Sequence, residues 1–219
     1  MNLRNLTSLF VTLAVVGVLA ATGRTQVPAV TDATTIETTK ADASSLIKLW
    51  PELTQVAARA TIEQYGQPDA ATDRLLIWTN KEPWQRIIVY RDAVSHSFPM
   101  VHQDFLENTV RYRVPEDKVA DLLRFDGGLV IDTTRGELSS HCDAEKSNIL
   151  ALNVAHEVAT GKRDVADARR FLRDTMMKSM AGKSSPYMEK LMFPIEAEQV
   201  SPITGGQEPK PTVPILPAP

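Results

Sequence analysis

The stretch 86–114, RIIVYRDAVSHSFPMVHQDFLENTVRYRV, decides the fold. Its opening, RIIVYRD, is dense in β-branched and aromatic residues, which suit a pleated, half-buried surface, and predicts a strand over Gln85–Asp92. At the far end Val110, Tyr112 and Val114 alternate with Thr109, Arg111 and Arg113. A period of two sends one set to a dry face and the other to a wet one, so Leu106–Val114 reads as a strand of an antiparallel sheet. The ten residues between, SHSFPMVHQD (95–104), read as a loop, because Pro99 interrupts regular structure.

Working outward, Arg74–Thr79 reads as a further strand, joined to the first by the polar turn Asn80–Pro83. Before it, Pro51–Tyr65 is a helix, with Pro51 at its first position and Gly66 just past its end. Leu49, Leu53, Val56, Ala57 and Ala60 share one side of that helix and predict its buried face. Downstream, PEDKVADLLRF (115–125) is a short helix, Leu129–Thr133 and a segment ending near Cys142 are strands, and Ala144–Thr160 and Val165–Met180 are helices. Asp143 and Asp164 stand as their cap candidates. The sum is an α+β domain: a mostly antiparallel sheet of about five strands with helices packed on one face.

The chain has 219 residues, room for one ordinary domain. Residues 49–193 carry all three tryptophans, all four tyrosines and all four histidines, so this segment is the expected domain. Within it 19 basic and 21 acidic residues nearly balance, leaving no sustained positive stripe for a phosphate backbone. That excludes nucleic acid as the expected partner. Residues 24–48 read as a flexible Thr/Ala-rich spacer. Residues 194–219, with seven of the fourteen prolines, read as a disordered tail.

Residues 1–23 have the order of a secretory signal: Arg4, then the uncharged run LFVTLAVVGVLAA (9–21), then small residues. The run is too short for a spanning helix, which needs roughly 20 residues. The expected location is therefore beyond the cytoplasmic membrane, periplasmic or secreted, with no membrane span after signal cleavage. Without a cysteine near the cleavage zone, lipid modification is not expected.

Three constellations carry chemistry. Cys142, the only cysteine, precedes the helix at 144–160, where free amides and the macrodipole favour thiolate. His156 is too far along that helix to serve it, at about 1.5 Å per residue. His141 points to the opposite strand face. The base for a Cys142 nucleophile would have to be His96 or His102. The second constellation is His96, His102 and Asp104, acceptable ligands for zinc or iron, with Cys142 or His141 available to complete the set. No cofactor is demanded, but a divalent metal is admissible. The third is Glu145, Asn153 and His156 on an otherwise apolar helix, read as a hydrogen-bonded core network tying the helix to the sheet. His156-Glu157 lacks the second histidine of a zinc-protease motif, and Gly182-Lys183-Ser184 lacks the first glycine of a P-loop.

The runs TTRGELSSHCDAEKSNILALNVAHEVATGKRDVADARRFL (133–172) and WPELTQVAARATIEQYGQP (50–68) resemble segments of exported bacterial proteins of unknown function. The resemblance implies a bacterial, exported protein and brings no activity, cofactor or fold with it. The leading functional expectation is a non-catalytic exported module that binds a small ligand or an envelope protein. The alternatives are a thiol-dependent or metal-assisted hydrolase centred on Cys142 and the 95–104 loop, and a structural envelope protein acting through its Pro-rich tail.

Overall fold

The structure is a computed structural model and describes residues 43–195. The signal reading of residues 1–23, most of the spacer and nearly all of the Pro-rich tail lie outside the described residues. Among the described residues no helix is long and apolar enough to cross a membrane.

Helices α1 (Ala43–Ile47) and α2 (Glu52–Tyr65) lead into strands β1 (Ala70–Ala71), β2 (Leu75–Lys81), β3 (Trp84–His96) and β4 (His102–Arg111). A short 3-10 turn (Glu116–Lys118) and α3 (Val119–Phe125) follow, then β5 (Leu129–Asp132), β6 (Glu137–Cys142), α4 (Glu145–Ala159) and α5 (Val165–Met180). A last 3-10 turn spans Pro186–Met188. The α+β expectation holds, with six strands rather than five, ordered β1-β2-β3-β4-β6-β5. Every neighbouring pair is antiparallel. Strand β6 lies between β4 and β5, so its side chains meet β4 directly.

Register sorts the side chains. Leu76 pairs with Val89, Val89 with Leu106, and Leu106 with Cys142, so these four share a face. That face is the core. Its Leu76, Val89 and Val110 belong, with Leu150, Leu152 and Val154 of α4, to one buried cluster, all six fully buried. Burying each such side chain contributes about 1.5–3 kcal/mol. Asn148 of α4 donates to the Leu106 carbonyl at 3.0 Å and to Asn108 Oδ1 at 2.7 Å, fixing the helix across β4.

Three expectations change. The predicted apolar face of α2 is its outer face: Leu49, Leu53 and Val56 are exposed. Thr54, Ala58 and Thr61 are buried instead. Their short side chains let the helix approach β3, and the Thr54 hydroxyl donates to the Arg91 carbonyl at 3.1 Å. Residues 43–47, assigned to the spacer, form α1 and bury Ala43 and Ile47. Half of the 95–104 segment is strand: β3 runs on to His96 and β4 begins at His102. Only 97–101, with a cis Phe98–Pro99 bond, turns between them.

Glu145, Asn153 and His156 of α4 all find partners, though not all in the sheet. Asn153 donates to the carbonyls of Tyr187 and Lys190, and its Oδ1 accepts from the Met192 amide. His156 bonds Tyr112 at 3.0 Å and stacks on Phe193. Glu145 accepts from the Tyr65 hydroxyl at 2.8 Å. Together they fasten residues 187–193 and α2 around the helix. Asp164 caps α5 by accepting from the Asp167 amide, as its spacing predicts. Asp143 does not cap α4; Ala144 holds the cap position.

Candidate metal centre

The site forms where the β3–β4 hairpin meets the end of β6. A bulge sets it up: between the pairs Val89–Leu106 and Val94–Asp104, β3 spends five positions against two on β4. The bulge bends β3 and leaves His96 directly opposite His102. Both imidazoles and the Asp104 carboxylate then fall on the core side, near the Cys142 thiol.

His96 Nδ1 stands 3.1 Å from Asp104 Oδ2, and His102 Nε2 stands 2.9 Å from Asp104 Oδ1. Among the described residues this is the one group of three or more His, Cys, Asp or Glu side chains close enough to share an ion. All three are largely withdrawn from solvent, their side chains 17, 15 and 8% exposed.

The tautomers are constrained. The Met100 carbonyl lies 2.8 Å from His102 Nδ1. A carbonyl only accepts, so Nδ1 carries the proton and Nε2 of the neutral ring presents its lone pair. An Asp104 oxygen stands 2.9 Å from that nitrogen but off the direction in which the ring would donate, an acceptor beside an acceptor, and a cation or a proton held between them stabilises such a contact. Hydrogen-bond directions do not resolve the contact. Neither Asp104 Oδ1 nor His96 Nδ1 has a hydrogen-bond partner among the described residues. Both spacings suit atoms that coordinate one ion at about 2.0–2.2 Å each.

A supporting shell stands behind His96. Asp126 Oδ1 lies 3.5 Å from its Nε2 and also accepts the Gly128 amide at 2.9 Å. The two make no hydrogen bond at that distance, but the carboxylate favours a proton on Nε2, which leaves Nδ1 toward Asp104. Burial raises the Asp126 carboxyl above its usual range, against the Gly128 amide, which lowers it. Burial likewise raises Asp104, opposed by the two histidines. Gly128 is needed for this approach: a β-carbon there would meet the His141 carbonyl at 3.0 Å and the His96 ring at 3.3 Å. The hairpin tip is pinned from α5. Arg169 lies 3.7 Å over the Phe98 ring and donates to the Phe125 carbonyl at 2.6 Å.

Beside the triad is a cavity bordered by His96, His102, Cys142, Ser140 and Asp126, with Phe98, Leu150 and Met176 among its apolar walls. It has room for about one water-sized body, about 10 Å³. The Ser140 hydroxyl on its wall is buried without a hydrogen-bond partner.

The sequence-derived candidates therefore converge, with two changes. Cys142 Sγ is 3.5 Å from His102 Nε2, as a thiol–imidazole pair requires. The helix-terminus thiolate does not follow, because burial, then Asp143 and Asp104, pushes the thiol well above its ordinary value. His141 leaves the set: it sits on the opposite face, 2.9 Å from Glu107 Oε2. Asp126 was missed in the sequence; a lone Asp before Gly-Gly reads as a turn residue, and only the fold brings it to His96. The chain matches no protein-family model, no curated protein and no solved structure, and the reading of this centre rests on its own geometry.

Proposed function

We propose that the domain is a non-catalytic binding module whose small ligand is a divalent transition-metal ion, held by His96, His102 and Asp104. The observation that carries this is the unresolved contact at Asp104: two imidazole nitrogens at 3.1 and 2.9 Å with hydrogen-bond directions unmet. Imidazole and carboxylate donors suit zinc and its neighbours in the first transition row. With the secretory reading of residues 1–23, the ion would be met outside the cytoplasm.

The Cys142–His102 contact favours a thiol hydrolase as second reading. Two features weigh against it: the raised thiol and a cavity with room for about one water, too small for a scissile substrate.

Zinc titration by calorimetry, with metal analysis of the dialysed protein, tests the proposal. The expected result is one equivalent bound by the full chain and none by His102→Ala. Equal zinc content in both proteins would sink it.

A further inference from the structure

We infer that Cys142 is the fourth ligand of this centre, binding as thiolate, so that the site selects a thiophilic ion of the zinc class over a hard one such as manganese or magnesium. The inference rests on the reading of His96, His102 and Asp104 as an ion site.

Three observations converge on the sulfur. Leu106 pairs with Cys142, which places the thiol on the face that also carries Asp104 two residues earlier along β4. Sγ lies 3.5 Å from His102 Nε2, the nitrogen that also stands 2.9 Å from Asp104 Oδ1. Cys142 also borders the ion-sized cavity together with His96 and His102, although its sulfur stands outside the His96–His102–Asp104 set and must turn inward to share their ion. Independently, Ser140 presents to the same cavity a hydroxyl that is buried, in a residue only 1% exposed, with no partner. A polar group so placed indicates that something polar shares the cavity.

The competing donors are committed elsewhere. His141 bonds Glu107 across the sheet. Asp126 stands behind His96 at the other ring nitrogen and accepts the Gly128 amide. Cys142 is left, its thiol held only by 3.5 Å contacts to His102 Nε2 and Asp143 Oδ1, and its chemistry fits. On binding, the S–H bond breaks and a sulfur–metal bond forms, and the proton passes to solvent; no electron moves. A soft thiolate beside two imidazoles and one carboxylate suits zinc or cobalt, whereas manganese and magnesium prefer oxygen. Four protein ligands leave no position for a reactive water, as in closed structural sites. The non-catalytic reading asks for the same.

Cobalt(II) reports both points on the reduced, full-length protein. Visible d–d bands record an ion held by the site, and a near-ultraviolet sulfur-to-cobalt charge-transfer band records thiolate ligation. We expect both in the natural chain. Cys142→Ser should keep the d–d bands and lose the charge-transfer band, and it should discriminate zinc from manganese less. Cobalt bound by the natural chain without the charge-transfer band overturns the Cys142 assignment and leaves the three-ligand site standing. No cobalt or zinc bound at all overturns both. The spectrum of the natural chain decides even if Cys142→Ser fails to fold.

Discussion

The two faces of this sheet each place a histidine against a carboxylate, and they differ in how that meeting ends. On the outer face Glu107 accepts from Tyr90 at 2.7 Å, Thr109 at 3.2 Å and the His141 ring at 2.9 Å. Arg86 approaches it at 3.8 Å and pairs with Glu137 at 3.1 Å. Every oxygen of Glu107 is used. On the core face Asp104 meets two imidazoles at similar distances with its Oδ1 unpartnered. Buried polar groups normally find partners. A completed network is therefore structure, and an uncompleted one of the same composition marks a place for a ligand. Adjacent residues of β6 repeat the contrast: the Ser139 hydroxyl pairs with Thr109 at 2.8 Å, and the Ser140 hydroxyl pairs with nothing.

The contrast is open to measurement. Glu107→Ala should cost about 3 kcal/mol of stability, because Tyr90, Thr109 and His141 lose their common acceptor. Its zinc affinity should stay that of the natural chain; a parallel loss would mean that the two faces act as one unit. Zinc at a hundredfold excess over its Kd should stabilise the natural chain by about 2.7 kcal/mol, roughly 5–10 °C in Tm, and should leave His96→Ala unmoved. Differential scanning calorimetry reads both.

Acid separates the faces as well. Burial alone would raise Glu107, but hydrogen bonds from His141 and Tyr90 prevail and hold it at about 2, below its ordinary 4.5. A depressed folded value adds stability that is complete above 4.5 and disappears as pH falls toward 2. Denaturant titrations of the natural chain and Glu107→Gln should therefore converge across that window, with a difference on the order of 2 kcal/mol at neutral pH. The smallest effect is the sharpest comparison. Ser139→Ala should cost about 1 kcal/mol and Ser140→Ala within about 0.5 kcal/mol of nothing, since only the first breaks a hydrogen bond. Equal costs would show that Ser140 has a partner within the protein.

Much of this was legible in sequence, for identifiable reasons. The β-branched run at 86–90 gave a strand, whereas the alternation through Tyr112 and Val114 lies past the end of β4 at Arg111. β4 itself is buried on both faces from Asp104 to Val110 rather than dry on one and wet on the other. Asp164 with Asp167 marked the start of α5 for a local reason. The apolar stripe on α2 misled, since a helix lying close on a sheet buries small residues and leaves Leu53 and Val56 outward. Of the candidate centre, His96, His102 and Asp104 stood out by proximity along the chain. The separation of His141 from Cys142 followed from strand alternation, but the approach of Asp126 to His96 depends on how β5 and β6 fold back onto β4, a relation that no local pattern encodes.

The bulged hairpin also has a bearing on the order in which the molecule assembles. His96 and His102 are six residues apart and Asp104 two beyond, whereas the outer network joins Glu107 to His141 across 34 positions. Closing the shorter loop costs about 1.5 kcal/mol less chain entropy. The three-residue donor set can thus come together as soon as one hairpin forms, before β6 has found its place. An ion captured at that moment would act as a nucleus, and refolding would run faster with zinc in the buffer than without it.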